Sequence, residues 1–111
     1  MSAITTHVLD VSRGSPAGGV PVILEIRSND GWKMLGGGRT DTDGRAHGLS
    51  GDEIEAGIYR LTFDTAAYFA ACGVDGFYPI VQVVFEVADV SHHHHVPLLL
   101  SPFGYSTYRG S

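Results

Sequence analysis

The feature that most restricts this 111-residue chain is its punctuation. Apolar runs of strand length, "THVLDV", "GVPVILEIRS", "GWKMLG", "GIYRLTFD", "YPIVQVVFEV" and "HVPLLL", are separated by "SRGSPAGG", "SND", "GGGRTDTDG" and "SPFG". Short runs bounded by Gly, Pro, Asn and Asp predict an all-β sandwich or barrel. One segment breaks the pattern. In "DTAAYFAACG" an Asp precedes alanines and aromatics and a Gly closes them, which predicts a single short helix capped at both ends.

Successive side chains of a strand point to opposite faces, so parity assigns the faces. In "IVQVVFEV", Val81, Val83, Phe85 and Val87 share one face, while Ile80, Gln82, Val84 and Glu86 share the other. The strand is therefore expected to be half buried. In the segment "HHHHVPLLL" the same rule sends Val96, Leu98 and Leu100 to the core and His93, His95, Pro97 and Leu99 to the opposite face. Pro97 and Leu99 are too apolar for a fully wetted surface, so that face suits a subunit interface or a cleft. His7 and Leu9 form a second His/Leu pair on one strand face. Periodicity alone does not join the two strands.

With 43% hydrophobic residues the chain can bury one core, and a single domain over residues 1–111 is expected. The formal charge is −5, and Arg13, Arg27, Lys33, Arg39, Arg45, Arg60 and Arg109 are scattered without forming a stripe. Nucleic acid is therefore not an expected partner. No apolar stretch approaches the roughly 18–20 residues that span a bilayer, and "MSAITTHVLDVSRG" turns polar too early for a secretory signal. No membrane partner is expected, and the location expected is cytoplasmic. The lone Cys72 excludes an internal disulfide and fits a reducing compartment.

The residues able to do chemistry are His7, Arg45, His92 to His95, Tyr105, Tyr108, Arg109 and Ser111. A neutral imidazole can take a proton from water, and a guanidinium offers forked donors to planar, oxygen-rich anions. Hydrolysis of an acidic heterocycle would suit that set. Any single histidine is more simply a surface or packed imidazole. His93 and His95, two apart on a strand, could share an ion, but no Cys or carboxylate joins them at a recognisable spacing. "DTDG" at 41–44 lacks the later ligands of a calcium loop and reads as a turn. "GGG" at 36–38 precedes no helix and cannot cradle phosphate there. Cys72 sits at the wrong end of the predicted helix for an activated thiol and reads as a small buried hydrophobe. Tyr59, Phe63, Tyr68, Phe69, Phe77, Tyr78 and Phe85 read as core and turn packing.

In order along the chain, "HVLDVSRGSPAGGVPV", "DGRAHGL", "GIYRLTFDTAAYF", "VVFEV" and "LLSPFGYST" resemble the transthyretin family from near residue 6 onward. The resemblance distinguishes two branches. The hormone-carrier branch has lysine, glutamate and threonine where this chain has His7, Arg45 and His95, and a different tail. Here the tail is "YRGS", the terminal signature of the 5-hydroxyisourate hydrolases. The family's His-Tyr-His-Val-Pro pattern places its catalytic histidine on His95 and its other histidine on His93; His94 replaces the tyrosine, and His92 lies outside the pattern. His47 matches a histidine common to both branches, which favours a structural role.

The resemblance implies a transthyretin-like sandwich of two four-stranded sheets with one short helix. It also implies a homotetramer, a dimer of dimers, whose active sites lie in a central channel. The implied reaction is hydrolysis of 5-hydroxyisourate, with no cofactor and no metal. His95, with His7, would activate water, while Arg45 would bind substrate and stabilise negative charge on the attacked carbonyl. Tyr108, Arg109 and Ser111 would line the pocket. A carrier would keep an open channel, whereas His7, His95 and Tyr108 should narrow it. A metal-buffering protein is the third class, and loss of metal uptake on mutating His93 and His95 would be its mark.

Overall fold

The period-two segments form two stacked sheets in the computed structural model, which describes residues 3–111. The strands are β1 (Ile4–Asp10), β2 (Ser15–Pro16), β3 (Pro21–Ser28), β4 (Gly31–Arg39), β5 (Arg45–Ala46), β6 (Gly57–Phe63), β7 (Val81–Val87), β8 (His94–Ser101) and β9 (Gly104–Thr107); the helix is α1 (Thr65–Ala71). One sheet runs β4-β3-β6-β7, and the other runs β2-β1-β8-β9 with β5 also paired to β1. The second sheet thus has five strands where four were expected. β5 pairs with Thr6 and His7, β2 pairs with Leu9 and Asp10, and β8 pairs along the whole of β1. Two two-residue strands therefore share one edge of β1 in series, and the sheet is four lanes wide.

Between the sheets lies one apolar core. Ile4 and Val8 of β1, Val22 and Leu24 of β3, Leu61 and Phe63 of β6, Val81 of β7 and Leu98 and Leu100 of β8 are almost fully buried. Each such side chain contributes about 1.5–3 kcal/mol by leaving water. Parity correctly assigns the core faces of β7 and β8, where Val84 and Glu86 are exposed and Val96, Leu98 and Leu100 are buried.

The helix forms as its caps predict. Asp64 accepts from the Ala67 amide at 3.0 Å, and the end closes with Gly73 N–H to Ala70 and Val74 N–H to Phe69. This double closure needs a left-handed residue, and Gly73 has φ +68°. Its anchor to the sheet is polar: the Tyr68 hydroxyl donates to Asp10 at 2.7 Å. Burial alone would raise the Asp10 carboxyl, but hydrogen bonds from Ser12, Tyr68 and Arg13 outweigh it and hold Asp10 below its ordinary value. Burial, followed by the Asp10 hydrogen bond, pushes the Tyr68 phenol up.

One local expectation changes. The glycine run 36–38, read as a loop, lies within β4 opposite Leu24, Ile23 and Val22. Its bare backbone lets the 48–49 segment lie against the strand, where a Cβ on Gly36 would collide with the Leu49 carbonyl. "GYST", beyond the last of the apolar runs, forms the short β9, antiparallel to β8. Phe77 is 68% exposed and stacks edge-on with Tyr78, so of the core and turn packing expected it takes the turn part.

Candidate active site on the outer face of β1 and β8

β1 and β8 run parallel in a register that places Thr5 beside His95, His7 beside Pro97 and Leu9 beside Leu99. All six side chains belong to the face turned away from the core, so two strands that periodicity could not join form one surface. On the other edge of β1, β5 brings Arg45 opposite His7. Arg45, His7 and Pro97 thus form one row across the sheet, with Thr5 and His95 in the next row.

The "DTDG" segment is a turn, as read, and it orients two of these groups. One Asp41 carboxylate oxygen accepts from the amides of Asp43 and Arg45, at 2.9 and 3.0 Å, and Gly44 adopts φ +81°. These hydrogen bonds, the Arg45 amide first and then His47, hold the Asp41 carboxyl below its usual range. His47 reaches the other Asp41 oxygen at 2.9 Å. The turn points the Asp43 carbonyl at His7 Nε2, 2.8 Å away. A carbonyl only accepts, so His7 carries a proton on Nε2.

Thr5 Oγ1 lies 2.8 Å from His95 Nδ1 and 2.9 Å from His93 Nε2, and the two rings stand 6.3 Å apart. Burial lowers the His95 pKa first, and the positive charge of Arg45 and the neighbouring His93 and His7 lower it further. His95 therefore stays neutral, the form that can accept a proton, to lower pH than an ordinary histidine. The chain's tail crosses this ring. The Gly110 amide donates to the His95 carbonyl at 2.8 Å, and a Cβ on Gly110 would sit 2.5 Å from His95 Cδ2.

Ser111 then closes one side of a cleft of about 310 Å³ that is lined by Thr5, Arg45, His47, His93 and His95. Of the residues expected at the site, His95, Arg45 and Ser111 meet there. His7 adjoins through its pairing with Arg45. Tyr108 and Arg109 do not line this cleft: they line an adjoining cavity of about 200 Å³ with Phe85, Glu86 and His94. The chain reaches His95 only at Gly110, which leaves the two preceding side chains on the β7 side. His95 borders both spaces.

Thr5 was not among the sequence candidates, although parity alone puts it on the face of His7. His94 turns from the cleft, as parity requires; it is 6% exposed, and its Nδ1 has no hydrogen-bond partner. Among the described residues no three His, Cys, Asp or Glu side chains converge as metal ligands. Both histidines of the candidate metal pair are engaged by Thr5. Among the same residues no helix is long and apolar enough to cross a membrane.

Comparison with known proteins gives a consistent picture. The model of the HIUase/Transthyretin family matches residues 4–110. A probable 5-hydroxyisourate hydrolase of Caenorhabditis elegans is 50% identical over 99% of this chain and 82% of its own length. A solved 5-hydroxyisourate hydrolase from Klebsiella pneumoniae superposes with a TM-score of 0.85 at 38% identity, covering 97% of this chain and 92% of that one. Transthyretin from Sparus aurata gives a TM-score of 0.92 at 35% identity, covering 99% and 97%. The backbone thus resembles a protein of each name, and the side chains of the cleft must distinguish them.

Proposed function

The chain belongs to the HIUase/Transthyretin family, and on that premise we propose that it is a 5-hydroxyisourate hydrolase. The reaction is hydrolysis of 5-hydroxyisourate to 2-oxo-4-hydroxy-4-carboxy-5-ureidoimidazoline, a step of urate breakdown, carried out by one domain spanning residues 1–111. The observation that carries the reading is the meeting of His95, Arg45 and Ser111 on one cleft, in a chain 50% identical to a relative bearing the hydrolase name.

The chemistry follows from the groups present. His95 takes a proton from water as the water oxygen bonds to a ring carbonyl carbon. Arg45 holds the substrate and the negative charge that develops on the carbonyl oxygen. The ring C–N bond then breaks, the leaving nitrogen takes the proton back, and the net change is the addition of one water. His7, fixed by Asp43 with Nε2 protonated, offers Nδ1 as a further polar contact to substrate. No cofactor or metal enters this scheme. Tyr108 and Arg109 take the role of pocket walls on the adjoining side.

The outer face carrying the cleft includes the half-buried Leu9 and Leu99, and Tyr108 beside it is 57% exposed. A homotetramer, a dimer of dimers with these faces lining a channel, would cover them, and a cytoplasmic location fits a small enzyme with one free cysteine.

The test uses 5-hydroxyisourate generated freshly from urate with urate oxidase, and follows its ultraviolet absorbance with and without the protein. Decay accelerated by the wild type, with and without chelator, and at least ~10²-fold slower with His95→Ala, supports the reading. Spontaneous decay left unchanged by the wild-type protein removes it.

A further inference from the structure

Thr5 carries one hydroxyl proton and stands between two imidazoles. A threonine hydroxyl donates once and accepts up to twice, while a neutral imidazole has one donor and one acceptor nitrogen. If the hydroxyl proton points at His95 Nδ1, that ring must carry its own proton on Nε2 and has no lone pair left for water. If it points at His93 Nε2, His95 donates from Nδ1 to Oγ1 and keeps a lone pair on Nε2. Two donating rings would leave the hydroxyl proton without an acceptor among the hydrogen bonds of Thr5. Only the second arrangement satisfies all three groups and makes His95 a base.

We propose that Thr5 is a positioning residue that fixes His95 in its Nδ1–H tautomer and links it to His93 as a proton relay. The inference rests on the hydrolase reading above. Its proton balance is closed. Water gives a proton to His95 Nε2; His95 Nδ1–H passes its proton to Thr5 Oγ1 as the threonine proton passes to His93 Nε2. The charge then rests on His93, and His95 is neutral again. When the leaving nitrogen takes the Nε2 proton, the two transfers reverse and the starting tautomers return. The direction is physically sensible: His93 is exposed, whereas His95 is partly buried, with Arg45 close enough to disfavour its imidazolium.

The test combines a spectroscopic and a kinetic readout on the full chain. Long-range 1H–15N spectra of protein labelled in histidine, with His95 identified by its loss in His95→Gln, report which ring nitrogen is protonated. Wild type and Thr5→Ser are expected to show His95 protonated at Nδ1. In Thr5→Val, which keeps shape and loses the hydroxyl, the Nε2–H form should appear. With 5-hydroxyisourate, Thr5→Val should lose ~10–100-fold in kcat with KM unchanged, Thr5→Ser should recover most of it, and His93→Gln should shift the acid limb of the kcat profile. Thermal melting of each variant checks the fold. Wild-type His95 protonated at Nε2, or a Thr5→Val protein with unaltered tautomer and kcat, overturns the proposal. A wild-type protein inert toward the substrate would remove the hydrolase reading instead, and the spectra would still decide the role of Thr5 in fixing the tautomer.

Discussion

Gly110 lies against the face of His95, its amide 2.8 Å from the His95 carbonyl and its Cα placed so that a Cβ would come within 2.5 Å of the ring. The tail is therefore seated on the proposed base. Gly110→Ala should push the tail off and tilt the ring. Misplacement of a reacting group by about 1 Å costs ~10²-fold, so a drop of that order in kcat/KM is expected with a nearly unchanged melting temperature. Steady-state kinetics beside a thermal melt checks this, and wild-type kinetics would show that the seating is incidental.

Arg45 is exposed, and the structure gives it no ion pair among the described residues. Arg45→Ala should lower kcat/KM by ~10²–10³-fold, as losing a preorganised oxyanion donor does. Arg45→Lys should recover only part of the loss, because an ammonium lacks the forked pair. Equal activity of the Lys variant and the wild type would assign Arg45 a point-charge role only.

The pH dependence has a definite sign. With His95 as the proposed base, kcat/KM should rise with pH through the His95 pKa, which burial and then the charge of Arg45 hold below the ordinary histidine value. Arg45→Gln removes one of the lowering influences, so the acid limb should move to higher pH. The stability linkage runs the same way: the contribution is fully present above the unfolded pKa and is lost as pH falls through the lowered, folded one. A rate profile measured for both proteins decides it, and an acid limb that stays in place would disconnect Arg45 from His95.

Tyr68 ties the helix to β1 through a buried hydrogen bond to Asp10. Tyr68→Phe should cost about 1–3 kcal/mol in denaturant unfolding near neutrality. Asp10 is held below its ordinary pKa, so its contribution is present above the unfolded carboxyl value and is lost as pH falls through the folded one. The difference between variant and wild type should therefore shrink in acid. A pH-independent difference would mean that the contribution of the hydroxyl does not depend on the charge of Asp10.

The parts of the fold legible in the sequence were those governed by local rules. Alternation gave the faces of β1, β7 and β8, and the Asp64 and Gly73 caps gave the helix. The pairing of β1 with β8 was not legible from periodicity, because register between segments ninety residues apart leaves no trace in either one. The family resemblance implied that His7 and His95 act together, without giving that pairing. β9 and the strand character of Gly36–Gly38 were hidden because glycine reads as a turn wherever tertiary contacts are unknown. At the site, His95, Arg45 and Ser111 were named and do meet. Tyr108 and Arg109 were named and fall in the neighbouring cavity, since the tail's path depends on where Gly110 packs. Thr5 was passed over because a hydroxyl becomes chemically interesting only when its neighbours are known.

The parallel pairing of β1 with β8 also sets when the protein can first work. Thr5 and His95 come from opposite ends of the chain and meet only across that pairing. Closing so long a loop is among the slower events in folding a sandwich. Recovered turnover during refolding should therefore report this long-range step, because hairpins and helix alone do not bring Thr5 to His95. A chain interrupted before residue 94 lacks His95 and β8, so the pairing that brings Thr5 to that ring cannot form until the segment has been made.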